Sequence, residues 1–513
     1  MKRILLIITI ILLNVLTTAS TSYSSDLIPP YHWTYHSLEI LSDKDLIKEK
    51  VIPGQSTYTK EQVAKMVIAA MDKIRKDPSL MGENELYSMR QLVNGYKKEL
   101  EINGKNFGKM KKELENLAIT AHLTAKESSE VRHIKERLLS FEAAGSVNKF
   151  TFDIYRHLAA KDNEAIFISP YSISSALSMT YAGAAGKTAC EMAHVLFLNP
   201  DIHRSMAALL NDINTVPADT ALTRTANALW PAKEERLLDS YSDKVKKYYE
   251  ASLTKLDYRN KTDEARTTIN KWVDKRTEGK IKDMIGEGIL NKETSLVLTN
   301  AVYFKSDWVK LFESQNSRAM PFYINPSESV QTIMMTKTEE AIKYLKENNL
   351  EIAEIPYKDN RFSMLLLLPG KGSELASIEK NLDYIKFSAL TALMSPQRVR
   401  LTIPKFKAEQ SFELSKVLTD MGMGSAFNEG EADFSGINGK KNLYIGAVIH
   451  KTFLEVGEEG TEAAAATAVI MTKTSIAPEK DDLIEFKADR PFIYIIRDNL
   501  TEAILFIGRY TKP

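Results

Sequence analysis

Few residues in this 513-residue sequence have the types and spacing that catalysis requires. Gly186-Lys187-Thr188 matches the end of a phosphate-binding loop, whose backbone amides and lysine hold phosphate oxygens, but Tyr181 stands where that motif needs its first glycine. Neither G-x-S-x-G nor H-E-x-x-H occurs, and the eight histidines do not cluster as metal ligands do. The sequence therefore predicts a protein that is not an enzyme and that uses no cofactor or metal.

One stretch, Glu458–Phe492, has a composition that suits a change of structure. From Thr461 to Thr472 it contains neither proline nor glycine, and an alternating set of its residues is uncharged: Thr461, Ala463, Ala465, Thr467, Val469 and Met471. Because side chains alternate between the two faces of a strand, this set could face a core. The polar residues 477–482 that follow are typical of an exposed loop. The stretch could therefore be a loop or a central strand, and an alanine-rich helix or linker is the alternative.

The same stretch resembles the reactive-centre loop and C-terminal signature of the serpins. The resemblance rests on Phe486–Phe492 and on a hinge made of Glu458, Glu459, Gly460, Thr461, Glu462, Ala463, Ala464, Ala465 and Ala466. It implies an α+β serpin fold, with three β-sheets, about nine helices and an exposed reactive-centre loop. In such a fold, cleavage by a target protease lets the loop insert into the main sheet as a new strand.

Further motifs resemble this family in order along the chain, which predicts a serpin domain over residues 141–513. Phe167–Leu177 resembles the buried second helix, and Thr299–Trp308 resembles a central strand that ends at a tryptophan near the top of the sheet. Ile403–Lys407 and Val448–Lys451 resemble serpin motifs that come later in the chain. Val448–Lys451 is a strand that leads directly into the hinge.

The resemblance implies roles for particular side chains. A polar shutter beneath the middle of the sheet would comprise Ser169, Ser172, Asn300 and His450. At the top of the sheet, the breach, Glu458 would pair with Lys405 beside Trp308. Gly460 would let the backbone pivot, and Thr461 would be the first side chain to enter the core, where an unpaired charge is severely unfavourable.

In inhibitory serpins the reactive bond lies about seventeen residues along from the hinge acid, so the resemblance implies the bond Thr474-Ser475 when Glu458 is counted first. This bond implies an elastase-like or subtilisin-like target, whereas a shift by one residue gives Lys473-Thr474 and a trypsin-like target. The partner implied is a serine or cysteine protease that is trapped as an acyl-enzyme. The alternative is a non-inhibitory serpin that serves as an envelope-anchored binding or scaffold protein, but the small residues Ala463–Ala466 favour an inhibitor.

Composition and the N-terminus bound the compartment and the partners. With 44% hydrophobic residues, 26% charged residues and a net charge of +1, the chain is globular and carries no charge excess that would call for nucleic acid. Residues 1–25 predict a signal peptide: Lys2 and Arg3 precede an apolar run that is too short to span a bilayer. We therefore expect export to the extracellular space or envelope of a bacterium, with no transmembrane helix left after signal removal. Cys190 is the only cysteine, and its apolar helical surroundings predict a buried thiol.

Residues 26–78 predict two helices and a turn, and resemble an S-layer-homology-type module of bacterial envelopes. Thr59 and Gln62 have the spacing of a capping box before the apolar set Val63, Met66, Val67 and Ala70. The resemblance implies a cell-wall polymer as a partner. The alternative is a small helical bundle without a ligand.

Residues 84–140 predict a coiled coil and linker. Apolar residues follow one another at alternating steps of four and three, with one polar exception: Met89, Val93, Tyr96, Leu100, Asn103, Phe107, Met110, Leu114, Leu117 and Ala121. A sustained heptad pattern of this kind predicts a homo-oligomer of two or three chains. The alternative is an amphipathic helix docked on its own chain, because Gly95, Gly104 and Gly108 weaken a continuous helix.

Overall fold

The computed structural model describes Ile28 and residues 33–51, 58–120, 129–199, 201–249, 251–461 and 483–513. The predicted signal peptide therefore lies outside the described residues. The chain divides into two compact units: the first extends to Ile134 and includes Ile385–Ala392, and the second holds Lys135–Tyr384 and Leu393–Pro513. Among the helices of the described ranges, none combines the length and the apolar character needed to cross a bilayer.

Helices build the N-terminal part of the first unit. They are α1 (Trp33–Asp43), α2 (Lys60–Lys76), α3 (Glu83–Gly95), α4 (Lys97–Ile102) and α5 (Phe107–Thr120), with a short 3-10 helix at Pro78–Leu80. The predicted capping box is confirmed: the Gln62 amide donates to Thr59 Oγ1, and the Thr59 amide donates to Gln62 Oε1. Since the predicted apolar set of α2 is also buried, it joins one core with residues of α1 and α3.

The predicted coiled coil is corrected by this packing. The heptad seam is divided among α3, α4 and α5, because the helix breaks near Tyr96 and again at Gly104, whose φ of 75° is left-handed. The seam residues Met89, Leu100 and Leu114 are buried in the core of their own unit. They are therefore not available as a surface for a second chain, as the docked-helix alternative had anticipated.

The remaining α-helices begin with α6 (Ser129–Ala159), which extends into the second unit. They continue with α7 (Pro170–Tyr181), α8 (Gly186–Val195), α9 (Ile202–Asn214), α10 (Asp239–Tyr249), α11 (Thr262–Arg276), α12 (Leu375–Glu379), α13 (Tyr384–Ala392), α14 (Ser415–Asp420) and α15 (Ser435–Asn438). Further 3-10 helices lie at Ser314–Asn316, Lys358–Asn360 and Gly424–Phe427. Within α7, Pro170 occupies the first turn, where its missing amide hydrogen costs nothing, and Ser169 caps the helix.

The central sheet has six strands in the order β10-β11-β12-β4-β2-β3. Their bounds are β2 (Leu222–Pro231), β3 (Ser252–Leu253), β4 (Leu296–Asp307), β10 (Phe406–Glu413), β11 (Ala447–Val456) and β12 (Gly460–Thr461). Below β12, β11 pairs directly with β4 in parallel register, from Ala447 opposite Val297 to Phe453 opposite Tyr303. The two strands therefore form a closed sheet except at one end, where β12 lies between them.

The other strands form one nine-stranded sheet, in which β6 runs through two layers. The strands are β1 (Ile166–Ile168), β5 (Arg318–Asn325), β6 (Glu328–Glu347), β7 (Leu350–Pro356), β8 (Phe362–Pro369), β9 (Ser395–Pro404), β13 (Ile484–Lys487), β14 (Phe492–Asp498) and β15 (Ile504–Tyr510). Residues 328–334 of β6 pair with β5, residues 334–344 pair with β9, and residues 343–347 pair with β7. Because β6 is shared, two of the three predicted sheets are joined by hydrogen bonds.

The prediction of a buried Cys190 is wrong, since this cysteine is exposed. In α8 the buried face is formed by Thr188, Met192 and Val195, which follow helical spacing. Cys190 lies two residues from Thr188 and Met192, and a step of two residues leads to the opposite face of a helix.

Candidate functional site

The hinge is already joined to one end of the central sheet. Gly460 and Thr461 of β12 pair with Asp307 and Ser306 of β4, and Thr461 also pairs with Val456 of β11. A Cβ atom at Gly460 would lie 2.2 Å from the carbonyl oxygen of Ser306. Glycine is therefore required by the close approach to β4, which is a constraint additional to the predicted pivot.

The residues that follow β4, Trp308–Phe312, hold the hinge, and we call them the corner. They donate hydrogen bonds to three consecutive carbonyl groups, that of Gly457 just before the hinge and those of the first two hinge residues. The indole Nε1 of Trp308 donates to Gly457 O at 3.0 Å, the Phe312 amide donates to Glu458 O at 2.8 Å, and the Trp308 amide donates to Glu459 O at 2.8 Å. The backbone of the hinge is thus fixed before β12 begins.

Thr461 is completely buried at the end of the hinge. Its Oγ1 lies 2.6 Å from the hydroxyl oxygen of Tyr357, whose ring stacks on Trp308 with the ring centroids 4.3 Å apart. Burial raises the pKa of Tyr357 well above its usual value, so the hydroxyl stays neutral and can hydrogen-bond to Thr461. The surroundings of Thr461 suit a small side chain with a hydroxyl group. The neutral hydroxyl of Tyr357 would not compensate an ionised side chain at this position.

The predicted breach residues Trp308, Lys405 and Glu458 lie together at this end of the sheet. Lys405 Nζ lies 3.0 Å from Glu458 Oε2, and the two side chains are 47% and 19% exposed. Partial burial alone would raise the pKa of Glu458, but hydrogen bonds, led by that from Lys405, lower it on balance. Because one partner is half-exposed, water and salt screen this ion pair.

Beneath the middle of the same sheet, the structure brings all four predicted shutter residues into one hydrogen-bonded group. Asn300 of β4 stands directly opposite His450 of β11 and Asn227 of β2. Asn300 Nδ2 donates to Ser172 Oγ and to Asn227 Oδ1, and Ser172 is held by the helix that Ser169 caps. We call Ser169, Ser172, Asn227, Asn300 and His450 the polar row.

The hydrogen bonds of His450 assign its tautomer. The Ser169 amide donates to His450 Nε2 at 2.9 Å, so Nδ1 carries the proton and donates to Asn300 Oδ1. Burial lowers the pKa of His450 to about 3, which keeps the imidazole neutral at physiological pH. The polar row is therefore an uncharged network in which both nitrogens of the histidine are used.

The remaining predicted site residues fall outside the described residues. These are the later hinge positions Glu462, Ala463, Ala464, Ala465 and Ala466, and the reactive-bond candidates Lys473, Thr474 and Ser475. The loop is nevertheless bounded by structure at both ends, since β12 ends at Thr461 and β13 begins at Ile484.

Sequence reasoning missed two residues that the structure adds to the site. Asn227 stands among apolar and small neighbours in its strand, and an isolated amide in such a run is the signal that could have identified it. Tyr357 follows Pro356 at the end of β7 and carries no comparable local signal. Its role depends on contacts with Trp308 and Thr461, which are distant in the sequence.

The central sheet is closed over a polar row, and the first residues of a long loop pair with one end of it. Comparisons agree with this architecture. A family model described as Serpin (serine protease inhibitor) matches residues 145–513. The leukocyte elastase inhibitor of Xenopus laevis is 39% identical over 372 residues, which cover 71% of this chain and 97% of that protein.

Two further relatives extend the comparison. An uncharacterised serpin-like protein of Thermococcus kodakarensis is 40% identical over 371 residues, or 72% of this chain and 85% of that protein. The crystal structure of the thermophilic serpin tengpin in its native state matches with a TM-score of 0.66 and 28% identity, covering 72% of this chain and 94% of that one. The chain belongs to the serpin family, and the predicted serpin fold is confirmed.

Proposed function

We propose that this protein is an exported protease inhibitor that acts as a suicide substrate. The observation that carries the proposal is the pairing of Gly460 and Thr461 between β4 and β11. A loop whose first residues already occupy the place of a central strand can continue into that place once its other end is free. The uncharged alternating residues that follow Thr461 in the sequence suit the buried face of such a strand.

The chemistry is supplied by the target. The protease nucleophile, a serine hydroxyl or cysteine thiol, attacks the carbonyl carbon of Thr474. The bond between this carbon and the Ser475 nitrogen breaks, the nucleophile's proton passes through the protease's base to the leaving amine, and an ester or thioester remains. Insertion of the released loop then carries the attached protease along the sheet and distorts its active site before water can complete hydrolysis.

The driving force is the gain in hydrogen bonding and burial when the loop becomes a strand. In the intact form β4 and β11 pair with each other over residues 297–303 and 447–453. Insertion replaces this single interface by two interfaces, one on each side of the new strand. The intact protein is therefore stored in a state of higher free energy, and only the covalent continuity of the loop prevents its relaxation.

The proposal is tested by incubating the full-length protein with elastase-like, trypsin-like, subtilisin-like and papain-like proteases. We expect at least one of them to form a complex that survives boiling in detergent, with a released C-terminal fragment that begins at Ser475. A fragment that begins at Thr474 would select the alternative bond Lys473-Thr474. Complete cleavage by every enzyme, without a stable complex, would contradict trapping.

A non-inhibitory serpin that binds another molecule is the second candidate, and the thermal behaviour of the nicked protein separates the two. If the nicked form melts at a higher temperature than the intact form but no protease is trapped, the loop inserts without inhibition and the binding function is favoured. If the nicked form melts no later than the intact form, insertion itself is contradicted. Export is tested by the mass of the secreted chain, which we expect to begin between Ser20 and Ser25.

We also propose a cell-wall polymer as the partner of the N-terminal part of the chain. A cavity of about 290 Å³ between α2 and the residues that follow α1 supports this, because three lysines, Lys48, Lys65 and Lys73, line it with Tyr58 and with only one carboxylate, that of Glu49. Ammonium groups around a cavity suit an anionic glycan. In co-sedimentation with purified cell walls, we expect Lys48→Glu with Lys65→Glu to weaken binding and the exposed control Lys111→Glu to leave it unchanged. Binding that is equal for both variants would contradict this site.

A further inference from the structure

The corner holds the hinge, but the corner must itself be held in place. The indole of Trp308 reaches Gly457 O, and the backbone amides of Phe312 and Trp308 reach Glu458 O and Glu459 O, only if Trp308 and Phe312 keep their positions. One support is the Val309 amide, which donates to Pro356 O at 3.1 Å. Val309 and Leu311 are themselves 51% and 48% exposed, so the corner gains little from burying them.

The second support is Lys337, a lysine of β6 that is only 6% exposed. Its Nζ donates to the carbonyl oxygen of Lys310, in the middle of the corner. The same Nζ lies 4.5 Å from the ring centroid of Phe312 and 5.9 Å from that of Trp308. A single ammonium group thus contacts both residues whose donors hold the hinge, and also the residue between them.

The surroundings of Lys337 strengthen the contact of its ammonium group with the rings of Trp308 and Phe312. Burial lowers the pKa of Lys337, while its ion pair with Glu339, at 3.0 Å, favours the charged form. A buried cation over aromatic faces is attracted more strongly than an exposed one, because water does not compete for it. A methionine would fill the same volume with an uncharged chain, and it would supply neither the hydrogen bond nor the attraction to the rings.

We propose that Lys337 is a positioning residue for loop insertion: it fixes the corner so that the hinge is registered between β4 and β11 before the loop is cut. This inference rests on the proposed inhibitory function. When the hinge is already aligned between β4 and β11, insertion is fast compared with hydrolysis of the acyl-enzyme. When the corner is loose, the first residues must be aligned after cleavage, and more molecules are hydrolysed as ordinary substrate. Recognition of the loop by the protease is unaffected, because the reactive bond lies far along the chain from Lys337.

The test compares Lys337→Met with Lys346→Met in the full-length protein. Lys346 is a matched control, because it lies on the same strand, β6, its side chain is 66% exposed, and its ion pair is with Glu351 and not with the corner. For Lys337→Met we expect about a tenfold fall in the ratio of trapped to hydrolysed inhibitor, with an unchanged rate of initial loop cleavage. For Lys346→Met we expect the ratio of the native protein. A purely structural loss of stability would not change the ratio while sparing the cleavage rate.

Hydrogen exchange of the intact protein supplies a second measurement that needs no protease. We expect the amides of Trp308 and Phe312 to exchange faster in Lys337→Met than in the native protein or in Lys346→Met. If Lys337→Met does not fold, Phe312→Leu removes one ring beneath the ammonium group and should shift both measurements in the same direction.

The role of Lys337 would be overturned by either of two results. One is a native ratio and native amide exchange in Lys337→Met, and the other is equal changes in the Lys346→Met control. If the native protein traps no protease at all, the proposed function fails, and the exchange data still decide whether Lys337 fixes the corner.

Discussion

The polar row lies beneath the middle of the central sheet, the hinge pairs with β4 and β11 at one end of it, and the two are held by different means. The polar row is fully buried around Asn300 and His450, is uncharged, and uses both nitrogens of the histidine. The hinge is held by backbone hydrogen bonds from the corner and by the half-exposed pair of Lys405 with Glu458. A buried neutral network loses much when a single partner is removed, whereas an exposed ion pair loses little.

Under the proposed inhibitory function, this difference would let the sheet open from one end. The end that carries β12 is held by a half-exposed ion pair and by hydrogen bonds from the corner, so insertion of the loop would begin there. The buried network in the middle would resist separation of β4 from β11 until the advancing strand displaced it. Four substitutions or conditions test this contrast, and we order them by the size of the expected effect.

The largest effect is expected for Thr461→Arg. The native side chain is completely buried and hydrogen-bonds to the neutral hydroxyl of Tyr357, so an arginine would bring a charge into a buried, neutral part of the sheet. We expect loss of the covalent complex and conversion to a substrate, measured by denaturing gel after incubation with the target protease. The control Thr461→Val removes the hydroxyl without adding charge and should still trap. A stable complex formed by Thr461→Arg would refute the assignment of Thr461 as the first inserted side chain.

A smaller effect, on stability, is expected for Asn300→Ala in the polar row. The substitution leaves His450 Nδ1, Ser172 and Asn227 each without one hydrogen-bond partner. Since each buried unsatisfied group costs about 1–3 kcal/mol, we expect the free energy of unfolding to fall by about 3 kcal/mol or more. The urea midpoint measures this, with the exposed Asn325→Ala as control. A fall of less than about 1 kcal/mol would show that the network contributes little.

The third prediction concerns pH. His450 has a pKa of about 3 in the folded protein, below the ordinary value near 6.5 that it regains on unfolding. Between these values the unfolded state binds the proton first, so stability falls as the pH is lowered. From pH 7 to pH 5 this group should contribute a loss of about 2 kcal/mol. Urea midpoints at both pH values should show this loss in the native protein, and His450→Gln should lack it. If stability depended on pH equally in the native protein and in His450→Gln, a neutral buried histidine would be contradicted.

The smallest effect on unfolding is expected for Glu458→Lys. Because the pair with Lys405 is partly exposed, its loss should change the free energy of unfolding by about 1 kcal/mol or less. The new lysine faces Lys405, however, and the resulting repulsion loosens the hinge. We therefore expect more polymer after mild heating, measured by native gel, with Lys407→Glu, two residues from Lys405, as a control for a charge change nearby. If Glu458→Lys kept the monomer content of the native protein after heating, the pair of Glu458 with Lys405 would not be what resists opening of the sheet.

Much of the fold and part of the site could be predicted because their signals are local. The capping residues Thr59 and Gln62 are three positions apart, and the uncharged alternation after Thr461 repeats every second residue. The four predicted shutter residues could be placed because the serpin motifs that contain them follow in order along the chain. The reason that they meet, the direct pairing of β4 with β11 and β2, is not visible in any of these motifs.

By itself, the sequence determined the family resemblance, the order of the strands and the small uncharged residues of the hinge, because these depend on residue types at short and regular spacings. The tertiary structure alone decided that the heptad residues around Leu100 fold onto their own unit and that Cys190 is exposed. It also decided that Lys337 contacts the corner and that Tyr357 meets Thr461. These contacts join residues distant in the chain, and such contacts depend on which elements become neighbours when the apolar faces are buried.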